Sequence, residues 1–464
     1  MNAADRSSHA RRRLAAPPFE FPDDVLRIAG ELKAAGFQAW VAGGAVRDLL
    51  LLRPVADWDL ATDARPETVQ RLFGRVVATG MAHGTVTLVR GNAHYEVTTF
   101  RTGRQGRFSD SVEQDLAHRD FTINAMACDP VGHRLVDPCG GAADLRRGLV
   151  RAVGSADERF ADDPLRIMRA VRFAAVFRFR LERETRESIT RHLEAFRGVA
   201  PERVREELFR LLLAPRPSAG LELLRRTGLM AEVLPELLEG WRKKQNHYHR
   251  YTIYRHIMVC VDASPPDLDL RLAALLHDVA KPRVRKKVDG IFRFHDHERA
   301  SADLAREILG RLRCSRSRTD RVCHLIRQHM FHYQPGWKDA AVRRLVRRVG
   351  LEHLDDLFAL RRADVAAHGI PGDDLERLEE LGARIQLLVR EAPPMGVGDL
   401  QVNGRDVMRV TGVDEGAEVG RMLERLLEEA LEDPETNRRE LQLERLVSWS
   451  RRGRQPARAG EERG

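Results

Sequence analysis

Apolar residues recur at helical spacing between Asp23 and Ala35, at Val25, Ile28, Ala29 and Leu32, and predict an opening helix. Gln38–Ala42 reads as a strand running into Gly43-Gly44, Ala45–Leu52 as a helix, and Trp58–Ala61 as a strand. Pro66 opens a helix to Phe73, at a first-turn position that proline tolerates. Val76–Ala78, Thr85–Arg90 and His94–Arg101 read as β, the last two joined by a Gly91-Asn92 turn. Beyond residue 155 the pattern turns helical, over Pro164–Phe177, Glu184–Phe196, Glu202–Leu213 and Ser218–Thr227. Residues 245–370 are helical and rich in histidine. Residues 371–448 are helical again, interrupted by Pro393-Pro394-Met395-Gly396. The expected fold class is α+β. A mixed head at 23–150 follows a disordered basic leader at 1–22, and helical blocks occupy 151–240, 245–370 and 371–464.

The 464 residues suit two to four domains of roughly 100–200 residues each. Hydrophobic residues make up 43% and charged residues 32%, a globular composition, and no apolar run is long enough to span a bilayer. The polar, basic start has no secretory apolar segment, so a cytoplasmic protein without a membrane partner is expected. The net charge of +9 favours a polyanionic partner. Five cysteines, odd in number and never in CxxC spacing, argue against a disulfide framework or a cysteine-based zinc site.

Chemistry concentrates first around Gly43-Gly44. Glycine lets a backbone approach a ligand closely, although most such pairs are plain turns. Asp57-Trp58-Asp59 follows, and alternation along a strand puts its two carboxylates on one face. Such a pair is costly without a cation between, and a hard divalent ion with oxygen ligands is the usual answer; two solvated strand-end acids are the bland alternative. Glu96, in Tyr95-Glu96-Val97, adds a third acid on a later strand. The ordered set makes Asp57, Asp59 and Glu96 candidate catalytic carboxylates for two-metal nucleotidyl transfer.

Val41-Ala42-Gly43-Gly44-Ala45-Val46-Arg47-Asp48, Asp57-Trp58-Asp59-Leu60-Ala61-Thr62 and Arg119-Asp120-Phe121-Thr122-Ile123-Asn124-Ala125 together resemble the bacterial tRNA nucleotidyltransferase/poly(A) polymerase family. Asp162-Asp163-Pro164-Leu165-Arg166 and Arg169-Ala170-Val171-Arg172-Phe173 extend the likeness, which covers roughly residues 20–240. The resemblance implies a polymerase-β-like head, then neck, body and tail, and template-independent addition of CMP and AMP to tRNA 3′ ends. It implies Mg²⁺ on Asp57 and Asp59, and triphosphate contacts from Gly43, Gly44 and Arg47. Arg119, Asp120 and Asn124 would bind phosphate and ribose, Arg169 would also contact the nucleotide, and Asp163 and Arg166 would read the base edge. Arg offers forked donors and Asp acceptors, as such reading needs. Asp163 before Pro164 is equally a good helix cap, and Arg119 with Asp120 could be a local ion pair. His118 and Asp162 depart from the family's usual Arg and Glu.

His277-Asp278 closes an apolar helix read over Leu268–Ala280 and ended by Pro282. With His256 upstream and Asp364 on a helix at Leu351–His368, the spacing resembles the HD phosphohydrolase superfamily. That implies His256, His277, Asp278 and Asp364 as ligands of a divalent metal of open identity, with His297 and His329 for a second ion and His295 and His332 as bystanders. Val402-Asn403-Gly404-Arg405-Asp406-Val407-Met408 is similar to a segment that follows such domains.

The function expected is tRNA 3′-end synthesis from CTP and ATP, with a phosphohydrolase activity in the HD block; oligomeric state stays open. The alternatives are a poly(A) polymerase, or an HD phosphohydrolase with an RNA-binding head. Arginine-rich faces at Arg203–Arg210 and Arg343–Arg348 are candidate RNA grips. The segment from Phe100 to Arg119 is short against the family's flexible loop, which implies a product restricted to CC, or full CCA if the shortened loop still serves.

Overall fold

The computed structural model describes residues 14–453, apart from 75, 78–83, 92, 103–106, 247, 371 and 392. Contacts divide the chain into two units. The first runs to Trp241 and takes in Pro266–Arg271 and Arg306–Thr319; the second comprises Arg242–Pro265, Leu272–Ala305 and everything from Asp320.

The first unit begins with helix Asp23–Ala34, which buries Val25, Ile28, Ala29 and Leu32 as the periodicity predicts and carries Asp23 and Asp24 in its first turn, where the helix dipole favours them. A seven-stranded sheet follows, in the order Val76–Val77, Thr85–Arg90, Ala93–Thr99, Asp59–Thr62, Trp40–Ala42, Ala127–Cys128, Leu135–Val136. Asp59–Thr62 pairs in parallel with Glu96–Thr99, and the other pairings are antiparallel. The ladder starts at Asp59, so Asp57 precedes the strand, a correction to the reading of Trp58–Ala61. Trp40, Ala42, Ala61, Phe100, Leu116 and Ala127 pack into one core on this sheet. Asn92 of the expected turn and residues 103–106 of the short loop lie outside the described residues; Arg101–Thr102 and Arg107–Phe108, which flank that loop, pair with each other.

Two neck helices differ from expectation. Pro164 forces Asp163 into an extended conformation (φ −148°, ψ 102°), because the residue before proline is barred from the helical region. Helix Ala156–Asp162 therefore ends there, and the next begins at Arg166 and runs to Phe177. The predicted Glu184–Phe196 helix breaks at His192 into Arg183–Arg191 and Leu193–Phe196. Helices Pro201–Leu212 and Pro217–Arg226 pack against Arg166–Phe177. Gly220 permits the close approach, since a Cβ there would sit 2.8 Å from that of Ala175.

In the second unit, helices Ile253–Ala263 and Leu354–His368 pack side by side. The helix expected over Leu268–Ala280 stops at Leu276. Pro282 lies in the first turn of a new helix, Lys281–Val284, and does not end the old one, because a first-turn proline forfeits no helical hydrogen bond. The block also holds a hairpin, Lys286–Val288 with Ile291–Arg293, absent from the helical reading. Its Asp289-Gly290 turn has both residues at positive φ (51° and 80°), the geometry two-residue hairpins favour. Residues 400–453 form a small helical module with its own core of Val402, Val407, Leu426, Leu427 and Leu431. The helix Asp339–Val349 faces it through the arginines expected to grip RNA. Arg343 donates to the carbonyls of Leu431 and Glu432, Arg344 pairs with Glu428 and Glu432, and Arg347 with Glu424 and Glu428. That expectation is corrected: these three side chains clasp the module.

Among the described residues no helix is long and apolar enough to cross a membrane, and all five cysteines are free.

Candidate active site and metal centre

The buried strand Trp40–Ala42 delivers the chain to Gly43, at φ 73° and ψ −126°, a conformation open to glycine alone. A Cβ there would strike the Arg119 guanidinium, and one on Gly44 would meet Arg47 Nη2 at 3.4 Å. The paired glycines thus let the backbone pass between two arginines. Arg47 donates to Asn124 Oδ1 (2.7 Å) and grips Asp48 through Nε and Nη2 (3.0 and 2.8 Å), with its guanidinium 4.6 Å from the Phe177 ring centre. Asn124 Nδ2 donates to Asp120 Oδ1 (3.1 Å), and Arg169 meets Asp120 Oδ2 through Nε and Nη2 (2.8 and 2.6 Å). Burial works to raise the Asp120 carboxyl, but Arg169, the Asn124 amide and the Phe121 N–H hold it below the usual carboxylate range. Arg119 pairs with Asp115 at 3.1 Å, and not with Asp120 as a local pair would.

The parallel register sets Asp59 opposite Glu96. Burial, then the like charges of Glu96 and Asp57, push the Asp59 carboxyl up to about 6 against the pull of Arg119 and Arg47. The like charges of these three acids are a repulsion that a cation would relieve, although their oxygens do not gather within 4.8 Å of one another. Asp57 and Glu96 are exposed and Asp59 is half-buried.

Asp163 accepts from the Leu165 N–H at Oδ1 (3.1 Å), so it closes the turn, as a cap would, without starting the helix. Its carboxylate is also forked by Arg203, with Nη2 2.8 Å from Oδ2 and Nη1 3.3 Å from Oδ1. Arg166 lies alongside, partly buried, with Nη2 3.4 Å from the His118 carbonyl. Sequence reading missed Arg203 as a partner of Asp163, and Glu207, which is buried and engages Arg172 and Arg169.

The second unit brings His256, His277, Asp278, His297, His329 and Asp364 into one buried cluster. His256 Nε2 lies 3.0 Å from Asp364 Oδ1, 3.2 Å from His277 Nε2 and 3.3 Å from Asp278 Oδ2. His297 and His329 Nε2 lie 3.5 and 4.0 Å from Asp278 Oδ1. Two triplets, His256-His277-Asp278 and Asp278-His297-His329, each hold their ligand atoms within 4.8 Å of one another, and Asp278 belongs to both. Nδ1 of His256, His277, His297 and His329 sits 3.0, 2.9, 2.8 and 2.6 Å from the carbonyls of Ala367, Ala274, Phe294 and Ile326. A carbonyl only accepts, so Nδ1 carries a proton in each ring and each Nε2 faces inward. Both Asp278 oxygens and His297 Nε2 are buried without a well-aligned hydrogen bond, although Lys281 Nζ stands 2.7 Å from Asp278 Oδ2 as a charge partner. Burial opposes charge on His277, yet Asp278 and Asp364 outweigh it and raise its pKa to about 10. Orphaned oxygens, inward-facing Nε2 atoms and a negative field fit divalent metal.

His295 and His332 are exposed, as expected of bystanders. His249 and His368 were missed. Their ring centres lie 5.1 and 5.9 Å from that of His256, and both side chains are half-buried. His368 carried a signal, the i,i+4 spacing from Asp364, while His249 sits in a polar stretch without periodicity.

Residues 39–151 match the family described as "Poly A polymerase head domain", 178–240 "Probable RNA and SrmB-binding site of polymerase A", and 252–365 "HD domain". The CCA-adding enzyme of Streptococcus thermophilus is 33% identical over 427 residues, 90% of this chain and 94% of that protein. That of Streptococcus gordonii is 44% identical over 241 residues, 50% of this chain and 59% of that relative's length. Among solved structures, the Bacillus stearothermophilus CCA-adding enzyme in complex with CTP superposes with a TM-score of 0.73 at 30% identity, covering 95% of this chain and 99% of that one.

Proposed function

We propose, from the premise that the chain belongs to the family of CCA-adding enzymes, that it transfers CMP and AMP from CTP and ATP to the 3′ end of tRNA without a nucleic-acid template. The observation that carries this reading is the continuous line of contacts from Gly43 through Arg119 and from Arg47 through Asn124 and Asp120 to Arg169, beside the Asp59–Glu96 register. The RNA 3′-hydroxyl attacks the α-phosphate, the α–β phosphoanhydride bond breaks, and pyrophosphate leaves. Asp57 and Asp59 would hold a divalent cation, Mg²⁺ by our reading, which would acidify the attacking hydroxyl and neutralise the triphosphate. Arg47 and Arg119, pinned by Asp48 and Asp115, offer guanidinium charge to the triphosphate. Asp120 and Asn124 receive the ribose 2′-OH. Asp163 accepts from the amino group shared by cytosine and adenine, and Arg166 donates to the ring nitrogen beside it.

The histidine cluster is proposed as a metal-dependent phosphohydrolase centre acting on phosphate esters, 2′,3′-cyclic ends included. Its six ligands would hold one or two ions, which supply an activated water.

One assay tests the first reading: purified protein, labelled CTP or ATP supplied separately, and tRNA transcripts ending before the first C, after C and after CC. Addition of two C residues supports it, and an open-ended A tail would favour a poly(A) polymerase. A product that stops at CC is the alternative that the short segment between Phe100 and Arg119 raises; efficient AMP addition to the CC-ended transcript, which the proposed function requires, excludes it.

A further inference from the structure

The buried histidine cluster carries at its edge an exposed basic hairpin that contributes no ligand to it. The chain leaves the cluster at Lys281, whose Nζ stands 2.7 Å from Asp278 Oδ2. It returns at Phe294, whose carbonyl receives His297 Nδ1 at 2.8 Å. Lys281 Nζ also lies 5.6 Å from the centre of the Phe294 ring, so both ends of the excursion are fixed to each other and to metal ligands. Between them runs the hairpin Lys286–Val288 with Ile291–Arg293. Lys281 and Phe294 are buried, whereas every residue from Lys286 to Arg293 except Phe292 is exposed.

The strand register sets the charges against one another. Lys286 stands directly opposite Arg293, and like charges in that relation repel. On the same face, one pair nearer the turn, Val288 opposes Ile291, and both are exposed. Lys287 and Phe292 form the pair on the other face, and the Arg285 guanidinium adds a cation there, 3.5 Å from the Phe292 ring centre. Residues 285–293 thus hold four cations and one acid, Asp289. Among the described residues none of the four cations makes an ion pair. A two-stranded hairpin is marginal in water, and an anion between the opposed cations removes the repulsion. A free nucleotide carries its phosphate at one point, while these cations lie on both faces. A nucleic-acid strand repeats the phosphate at every nucleotide, and its sugar and base faces suit Val288 and Ile291.

We propose that this hairpin docks the strand of an RNA whose phosphorylated end enters the histidine cluster, so that the centre acts on the ends of RNA chains in preference to free nucleotides. This rests on the reading of the cluster as a phosphohydrolase centre. At a 2′,3′-cyclic end, water adds its hydroxyl to phosphorus, one P–O ester bond breaks, and the freed ribose oxygen takes the remaining proton. The hairpin contributes binding along the strand and takes no part in that step.

The test compares the metal-loaded full-length chain with its Lys286→Ala/Arg293→Ala variant on two substrates, adenosine 2′,3′-cyclic phosphate and a short oligoribonucleotide with the same cyclic end. For the oligonucleotide, kcat/KM is expected to fall by about tenfold at about 0.1 M salt, and its log–log slope against salt to become shallower by about 0.7 for each cation that faced a phosphate. For the mononucleotide, kcat/KM should stay at wild-type level, as should metal content by elemental analysis. A Lys286→Arg/Arg293→Lys variant keeps the charge and should keep the oligonucleotide rate. Unchanged oligonucleotide kinetics in the alanine variant overturn the proposal, as they would if the hairpin received an acidic protein segment; so does an equal loss on both substrates. Should the alanine pair fail to fold, Lys286→Gln alone is read on the same scale. A wild-type chain that hydrolyses neither substrate with Mg²⁺, Mn²⁺, Ni²⁺ or Co²⁺ refutes the phosphohydrolase reading. The hairpin is then scored by photo-crosslinking of the same oligonucleotide with 4-thiouridine beside its cyclic end: adducts on residues 286–293 uphold the docking, and adducts only elsewhere overturn it.

Discussion

Replacing Arg203 with alanine is expected to damage base selection far more than stability. Arg203 is 51% exposed and Asp163 31%, so their pair is screened and contributes about 0.2–1 kcal/mol to folding. The functional term is larger. Two of the three hydrogen bonds that fix the Asp163 carboxylate come from this one guanidinium, and without it only the Leu165 N–H remains. A carboxylate free to rotate loses the charge-assisted hydrogen bond to the amino group of cytosine, about 1.5–3 kcal/mol. At about 1.4 kcal/mol per tenfold, kcat/KM for CTP should fall by about one to two orders of magnitude. UTP has no amino group in that place, so its kcat/KM should fall less and discrimination should narrow. Single-turnover addition of CMP and of UMP to one transcript, alongside a denaturation curve, measures both quantities. Arg203→Lys should recover part of the selectivity, since a point charge replaces a fork. If Arg203→Ala keeps the CTP-to-UTP ratio of the wild type while Asp163→Ala loses it, the reasoning about Arg203 is refuted and that about Asp163 stands. If Asp163→Ala also keeps the ratio, base reading by this pair is wrong altogether.

Asp57→Ala and Asp59→Ala should each abolish nucleotide addition, a loss of several kcal/mol of transition-state stabilisation, with transcript binding retained in a filter assay; near-normal addition by the double variant refutes the carboxylate assignment. Asp278→Ala should lower the bound metal of the full-length protein, measured by elemental analysis, at both triplets, because each uses this residue. It should leave CMP addition at wild-type level, and retention of metal would count against the shared carboxylate. Gly43→Ala should cost about 1–3 kcal/mol in a denaturation curve, since the conformation at φ 73° is strained for any side chain and the new methyl meets Arg119. A neutral result would mean that the Arg119 guanidinium is not held there.

The head was legible because its chemistry is contiguous. Gly43-Gly44, Asp57–Asp59 and Arg119–Asn124 each sit on a few neighbouring residues, and helix periodicity recovered the buried face of Asp23–Ala34 without loss. What escaped depends on residues far apart. Arg169 finds Asp120 across 49 positions and Arg203 finds Asp163 across 40, through helix packing that no local pattern encodes. The arginines at 343–347 look like an exposed basic face until the helix bearing Glu424, Glu428 and Glu432, spaced one turn apart, comes to lie against them. Asp289-Gly290 is a different failure: an Asp-Gly pair is a hairpin signal, but its strands are three residues each, too short to show alternation within a block read as helical.

Four imidazoles of the buried cluster are oriented at Nδ1 by main-chain carbonyls, with the Glu298 carboxylate also 3.6 Å from Nδ1 of His297. Three of those carbonyls, at Ala274, Phe294 and Ile326, lie three residues before the histidine they orient, so each ring is aimed by its own local turn. Ligand direction is therefore written into backbone shape. Neighbouring side chains can drift in evolution, or be redesigned for another substrate, without rotating the rings, as long as the turns persist. Such a centre tolerates change around it and fails sharply when a turn unwinds.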